Sequence, residues 1–227
     1  MKININNVNI GFHKEGTVFI AIFFVLSLIS ISFSGLNFIT FLLLAGTGSV
    51  LVFFRDPVRV PNLGDENILS AADGIVGEIK EVFKKDEEVL QSCEYCKEES
   101  FYKISINIRP LDSHIQRNPV EGKVVDIRYE EGQFLNKSLD KEHKDNEKNH
   151  VFILAKNGKT IVISQISGFV SRRIVCYLKV NEDVQQAQQY GIIKFGSRVN
   201  MYIPKSSKVK IKEGQTVIAA ETVIANF

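Results

Sequence analysis

The stretch GIIKFGSRVNMYIP, residues 191–204, decides how this chain is read. From Ser197 it alternates like a strand, with Val199, Met201 and Ile203 on one side and Arg198, Asn200 and Tyr202 on the other. Ahead of it, Ile193 and Phe195 continue an apolar face, so the pattern predicts one strand over Gly191–Ile203 with Gly196-Ser197 inside it. Glycine has no Cβ, so the backbone can bend there and another group can approach its carbonyl closely. The next residue carries a hydroxyl able to attack that carbonyl. On this segment alone, a glycine bulge followed by a surface serine is the plainer reading.

Outward from that stretch, the soluble part reads as strands almost throughout. Alternation and turn signals predict strands at Ile75–Val82, Tyr102–Ile108, Gly122–Tyr129, His150–Leu154, Thr160–Ser167, Val170–Val180, Lys208–Lys212 and Thr222–Ala225. The segments beginning Asp73-Gly74, Glu121-Gly122 and Ser167-Gly168 each lead into alternating apolar residues, and both Val125–Phe134 and Val209–Val217 run into Glu-Gly-Gln. Short strands with such turns are characteristic of barrel-sandwich domains like those of lipoyl and biotinyl carriers. The fold class expected is mainly β, a barrel-sandwich domain preceded by a hydrophobic helical hairpin. Leu139–Asn149 and Lys84–Ser100 read as polar connections. Cys93 and Cys96 have metal or redox spacing, but no second ligand pair accompanies them. The expectation is an ordinary reduced loop or hairpin tip, with no metal site.

The hairpin comes from Thr17–Phe33 and Leu36–Phe54, two apolar runs around Ser34-Gly35, and no charged residue occurs between Thr17 and Phe54. About 20 apolar residues cross the hydrocarbon core. Each run is slightly short, so two tight crossings and a re-entrant hairpin both fit. Lys2 and Lys14 before the pair, with Arg55 and Arg59 after it, fit an even number of crossings with both ends cytoplasmic. The division expected is a segment 1–16, a membrane anchor 17–54 at the cell membrane, and a cytoplasm-facing domain 55–227. Pro57 and Pro61 forbid further helix beyond the anchor. The formal net charge of +2 over 227 residues gives no reason to expect a nucleic-acid partner.

Two further segments carry chemistry. Asp73 beside Gly74 places a carboxylate at a tight turn before a strand. His114 lies in a loop bounded by Pro110 and Pro119, where a histidine is well placed to transfer protons near neutrality. His13, His143 and His150 lack such a setting.

These pieces together, in order, resemble the phosphatidylserine decarboxylase family, in its short bacterial and archaeal branch. The matching segments are Phe53-Phe54-Arg55-Asp56-Pro57 with Arg59 and Pro61, Ala72-Asp73-Gly74, Asp112-Ser113-His114 with Arg117 and Pro119, Asn146-Glu147 with Asn149, Gln165-Ile166-Ser167-Gly168 through Cys176, and Phe195-Gly196-Ser197-Arg198-Val199. The family usually has proline where Ala71 stands. Its longer branch has a second histidine where this chain has Arg117.

The resemblance implies that the chain makes its own cofactor. Ser197 would attack the Gly196 carbonyl, and elimination would divide the chain into 1–196 and 197–227. The pyruvoyl group left at position 197 would form an imine with the lipid amine and accept the electrons released with CO2. It implies His114 oriented by Asp73 as the base, in the manner of a triad. It also implies phosphatidylserine as substrate, the bilayer and the cleaved C-terminal chain as partners, and Arg55, Arg172 and Arg173 near the lipid phosphate. Decarboxylation of another serine-headed lipid, such as an archaetidylserine, fits the same residues. A non-catalytic membrane-anchored barrel-sandwich adaptor explains the anchor and the repeats, but not Asp73, His114 and Gly196-Ser197 together.

Overall fold

The chain passes from helices to sheets at Pro57 and Pro61, and the structure divides there, into Met1–Val58 and Arg59–Phe227. This computed structural model describes residues 2–5, 8–132, 146–168, 174–194 and 197–227, with the backbone alone for 2–5, 8–10 and 197.

In the first unit, β1 (Lys2–Ile5) and β2 (Val8–Phe12) form a hairpin, and β2 pairs with β3 (Arg55–Pro57). The N-terminal segment therefore contributes two strands to a sheet. Between these strands, α1 (Thr17–Ser34) and α2 (Phe38–Phe53) form the expected helical hairpin. Gly35, at φ 64°, ends α1 in a conformation that disfavours a side chain. Asn37 caps α2 by accepting from the Thr40 N–H at 2.9 Å. Serine and threonine hydroxyls meet between the helices, Ser30 to Thr40 at 2.7 Å. By length and composition Lys14–Ser34 can cross a membrane, whereas Phe38–Phe53 is apolar but shorter. Most of their large apolar side chains are exposed.

The second unit is mainly β, as the strand pattern predicts. Its eight-stranded antiparallel sheet curls into a half-barrel. It is built from β5 (Gly74–Phe83), β6 (Ser100–Ile108), β8 (Gly122–Glu130), β9 (Lys148–Ala155), β10 (Thr160–Ser167), β12 (Asp183–Val184), β14 (Ser197–Pro204) and β16 (Thr216–Val217). Their order across the sheet is β12-β8-β9-β10-β14-β6-β5-β16. Two three-stranded sheets accompany it: β11 (Ile174–Cys176), β13 (Gln189–Ile193) and β7 (Ile115–Arg117), and β15 (Lys208–Val209), β17 (Val223–Asn226) and β4 (Asn67–Leu69). One face of the large sheet contributes Ile104, Ile106, Val151, Ile153, Ile163, Val199 and Met201 to the main core, where Ile68, Tyr190, Ile193 and Ile224 join them.

The predicted strand over Gly191–Ile203 is two strands in different sheets. The apolar pattern persists because both halves line one core. The hydrogen-bonding partners change from β7 and β11 to β6 and β10.

The repeat expected from the glycine segments is present in the ladder. Gly74 pairs with Val217 and Ile75 with Thr216, while Gly122 pairs with Val184 and Lys123 with Asp183. Each strand is then bulged two residues further on, between Val76 and Glu78 and between Val124 and Asp126. The third expected copy, after Gly168, lies largely outside the described residues.

Lys84–Ser100 is not a bare polar connection. Its short helix α3 (Glu88–Gln91) brings Leu90, Cys93 and Cys96 onto Phe101, Phe152, Val162 and Tyr202, on the opposite face of the sheet. Cys93 and Cys96 are joined as a disulfide rather than reduced, since the turn after α3 sets their Cα atoms 5.4 Å apart. The predicted strand Val170–Val180 is described only from Ile174, as the short β11.

The same outer face carries a buried polar row, His150, Ser164, Asn200 and Ser105, in register on β9, β10, β14 and β6. His150 Nδ1 lies 2.6 Å from Ser164 Oγ, and Nε2 lies 3.2 Å from Glu130 Oε1. Burial lowers the His150 pKa below its ordinary 6.5, and the opposing pull of Glu130 does not restore it. The unfolded chain therefore binds the extra proton first, and this group's contribution to stability is lost as pH falls from about 6.5. Replacing His150→Gln should flatten the acid-side fall of Tm, read by thermal melts across pH 5–7. At Gly74 an added Cβ would lie 2.3 Å from the Asn107 carbonyl oxygen. Gly74→Ala should therefore cost about 1–3 kcal/mol, visible as a Tm lower by several degrees.

Candidate active site

The antiparallel register brings the chemically suspect segments to one end of the large sheet. The Ser197 backbone opens β14 between Ile108, the last residue of β6, and Ser167, the last of β10. On the far side of β6, Ile75 pairs with Asn107, which sets Asp73-Gly74 at the same end. Beyond Ile108 the chain turns through Arg109–His114. Gly196, like Phe195, Arg172 and Arg173, lies outside the described residues.

A carboxylate clamp shapes the turn after β6. Asp112 accepts from the Arg109 N–H at 3.0 Å and from its guanidinium at 2.8 and 2.9 Å. Burial alone would raise the Asp112 pKa, but the bonds and charge of Arg109 outweigh it and hold the carboxyl below its ordinary range. The clamp aims the Asp112 carbonyl at the ring of His114, with Nδ1 2.9 Å from that oxygen. A carbonyl only accepts, so the neutral ring carries its proton on Nδ1 and keeps Nε2 as the basic nitrogen. His114 is fully buried. Its own carbonyl accepts from Ile193 N–H at 3.2 Å and from Gln116 Nε2 at 2.7 Å. Ile193 stands four residues before Ser197, so the histidine is tied to the strand that leads to the junction.

Asp73 is placed differently from the triad expectation. Its carboxylate accepts from Arg59 Nη2 at 2.5 Å and from the Ala219 N–H at 2.8 Å, and neither bond reaches His114. Both side chains of the Arg59–Asp73 pair are largely buried. In this structure a backbone carbonyl, that of Asp112, accepts from the His114 ring. Arg59 is thus the counter-ion of Asp73. Asp73 also acts on Arg109, whose pKa is raised first by its bonds to Asp112 and further by the Asp73 charge.

Arg55 belongs to the first unit, where it donates to the Val52 carbonyl at 2.9 Å and so caps the C-terminal end of α2. Arg117, which replaces the longer branch's second histidine, donates to the Ala187 carbonyl at 3.3 Å. Glu147 stands out in the sequence only as part of a motif, yet its carboxylate is buried. It accepts from Tyr129 Oη at 2.9 Å and Ile174 N–H at 3.3 Å, while its carbonyl accepts from Ser167 N–H. It therefore braces the end of β10 beside Ser197. Among the described residues no cluster of three metal-binding side chains occurs. An open cleft lined by Glu121, Lys123, Lys156 and Gln185 lies at the other end of β9, away from Ser197.

Comparison with known proteins identifies the family. The profile of the family described as phosphatidylserine decarboxylase matches residues 48–225. A phosphatidylserine decarboxylase proenzyme from Wolbachia sp. subsp. Brugia malayi (strain TRS) is 37% identical over 215 residues, covering 95% of this chain and 90% of the relative. Proenzymes of the same name from Wolbachia pipientis wMel and Rickettsia akari (strain Hartford) are 38% identical over 216 residues, with the same coverage. The chain therefore belongs to the phosphatidylserine decarboxylase family.

Proposed function

We propose that this chain is a membrane-anchored decarboxylase that converts phosphatidylserine to phosphatidylethanolamine and CO2 in phospholipid synthesis, and that it prepares itself by breaking at Gly196/Ser197. The observation that carries the reading is the register of β14, which holds Ser197 between the ends of β6 and β10 with the His114 turn following directly from β6.

Self-cleavage needs a base for the Ser197 hydroxyl, a weak nucleophile at its ordinary pKa. His114 fits that role, since its proton sits on Nδ1 toward Asp112 and Nε2 remains to accept one. Oγ of Ser197 forms a bond to the Gly196 carbonyl carbon as the peptide C–N bond breaks, giving an ester and a free amine. Loss of the Ser197 α-proton expels the Gly196 carboxylate and leaves a dehydroalanine. Water then releases ammonia and leaves a pyruvoyl group at position 197. The relatives' designation as proenzymes supports such a processed, two-chain enzyme.

The pyruvoyl group supplies the electron sink that serine decarboxylation requires. The chain's own part is to bind, to orient and to move protons. His114 is the group to return a proton to the substrate carbon after CO2 leaves. Asp73, fixed by Arg59 and the Ala219 N–H, keeps a buried negative charge at the same end of the sheet. Arg55, Arg172 and Arg173 are candidates for the lipid phosphate. Leu111, in the turn that carries His114, is 74% exposed, which suits a site opening toward lipid. The helices α1 and α2 would anchor the enzyme in the cell membrane with the second unit on the cytoplasmic side.

Intact mass spectrometry of the purified protein should show two chains, 1–196 and 197–227. Ser197→Ala should remain one chain and release no CO2 from phosphatidylserine vesicles. His114→Ala should slow division by about a hundredfold or more. A single unbroken chain that still decarboxylates lipid would overturn the proposal.

A further inference from the structure

A line of buried amides runs through the core to His114. Asn149 Nδ2 donates to Gln165 Oε1 at 2.8 Å, Gln165 Nε2 to Gln116 Oε1 at 2.9 Å, and Gln116 Nε2 to the His114 carbonyl at 2.7 Å. Gln116 and Gln165 are fully buried and Asn149 is 3% exposed. Each amide donates in the same sense, so their dipoles align and end on the backbone of the histidine. The line starts on β9, passes through β10 of the large sheet and reaches β7 of the small one. It therefore crosses between the two sheets that Ser197 follows and enters. Gly191, which pairs with Gln116, leaves the space, since a Cβ there would lie 2.9 Å from Gln165 Nε2.

An apolar core with two glutamines at its centre is hard to account for by stability alone. Buried amides must be fully paired or they destabilise, and apolar residues of similar volume would pack as well. Gln165 also stands in register with Val199, two residues beyond Ser197 on β14. The line therefore links a strand flanking the junction to the carbonyl of the candidate base. Together with the Nδ1 bond to Asp112, it fixes the residue at both backbone and ring.

We infer that Gln165 and Gln116 are positioning residues that hold His114 in register with the Gly196–Ser197 junction, through a directional amide relay starting at Asn149. This rests on the reading of His114 as the base of self-cleavage. A shift of the histidine by about 1 Å is enough to lose about a hundredfold in rate, so the relay acts on division without touching the reacting atoms.

The test is a time course of chain division in full-length protein synthesised into phosphatidylserine-containing vesicles, with melting curves on the same samples. Gln165→Leu and Gln116→Leu should each slow division about tenfold or more, and the double variant should be no slower than the slower single one, because the two act as a unit. Gln165→Glu keeps the side-chain shape. Its neutral form accepts from Asn149 and donates to Gln116 Oε1, whereas its ionised form has no proton to donate. Division of this variant, relative to the unaltered protein, should therefore recover as pH is lowered from 8 to 6, a response that simple destabilisation does not produce. It also serves where a leucine variant fails to fold. For fully divided samples of each variant, kcat should fall with KM for lipid unchanged. If the unaltered protein divides and the folded variants divide equally fast, or Gln165→Glu shows no recovery at low pH, the relay is overturned alone. If the unaltered protein does not divide at 196/197, the self-cleavage reading falls and the relay with it.

Discussion

The structure depends on the antiparallel pairing of β14 between β6 and β10. Eight residues from Ser197 to Pro204 are in register with β6 and six with β10, and Val199, Met201 and Ile203 fill the core beneath them. A one-residue slip would turn each of these side chains to the other face and carry Ser197 away from Ile108 and Ser167. Core packing and site geometry are thus set by the same register. Before Ser197 the constraint comes from the other sheet, where Ile193 is held by β11 and by the His114 carbonyl. The described strands on either side of the proposed junction, β13 and β14, are therefore each fixed by their own sheet.

That arrangement bears on the fate of the chain after cleavage. The proposed C-terminal chain comprises β14 to β17, and three of these four strands pair with strands of the longer fragment. β14 sits inside the large sheet, β16 pairs with β5, and β17 pairs with β4 as well as with β15. Burying one large apolar side chain is worth about 1.5–3 kcal/mol, and Val199, Met201, Ile203, Val217 and Ile224 are all fully buried. Breaking the backbone removes none of these contacts. If the chain divides as proposed, the two fragments should stay together as one folded body.

Much of this was legible in the residues. Alternation located the long strands to within two residues, because period two survives wherever one face is buried. The helix pair followed from uncharged apolar runs, and the glycine repeats marked strands that prove equivalent in the ladder. What was missed has specific causes. Strands β4, β7, β12 and β16 have two or three residues, too few to show a period. The strand over Gly191–Ile203 appeared continuous because a change of pairing partners leaves no trace in side-chain alternation. The disulfide depended on a four-residue helix after Glu87. The partner of Asp73 was hidden because Arg59 lies fourteen residues upstream, and pairing at that distance has no local signature. Gln165 carries a signal beyond its place in a motif: the lone amide of the fully buried strand Thr160–Ser167 needs partners, and its presence there implies them.

The repeat raises the question of why the candidate site occupies only one of two equivalent corners. Gly74 and Gly122 make the same close approach, each with an ideal Cβ 2.3 Å from a carbonyl oxygen of the paired strand, Asn107 in one case and Leu154 in the other. The acidic residues before them correspond as well, Asp73 and Glu121. The corners diverge in the segment after the paired strand. Beyond β6 the chain turns through Arg109–Asp112 into His114 and then pairs with β13, which delivers the backbone to Ser197. Beyond β9 a short turn at Gly158 returns directly into β10, and Glu121 is left in an exposed pair with Lys156. A hairpin that short has no room for a buried histidine. The six residues between Ile108 and Ile115 thus distinguish a structural corner from the one proposed to react: they supply His114, the proposed base, whose carbonyl accepts from Ile193 on the chain leading to the proposed junction.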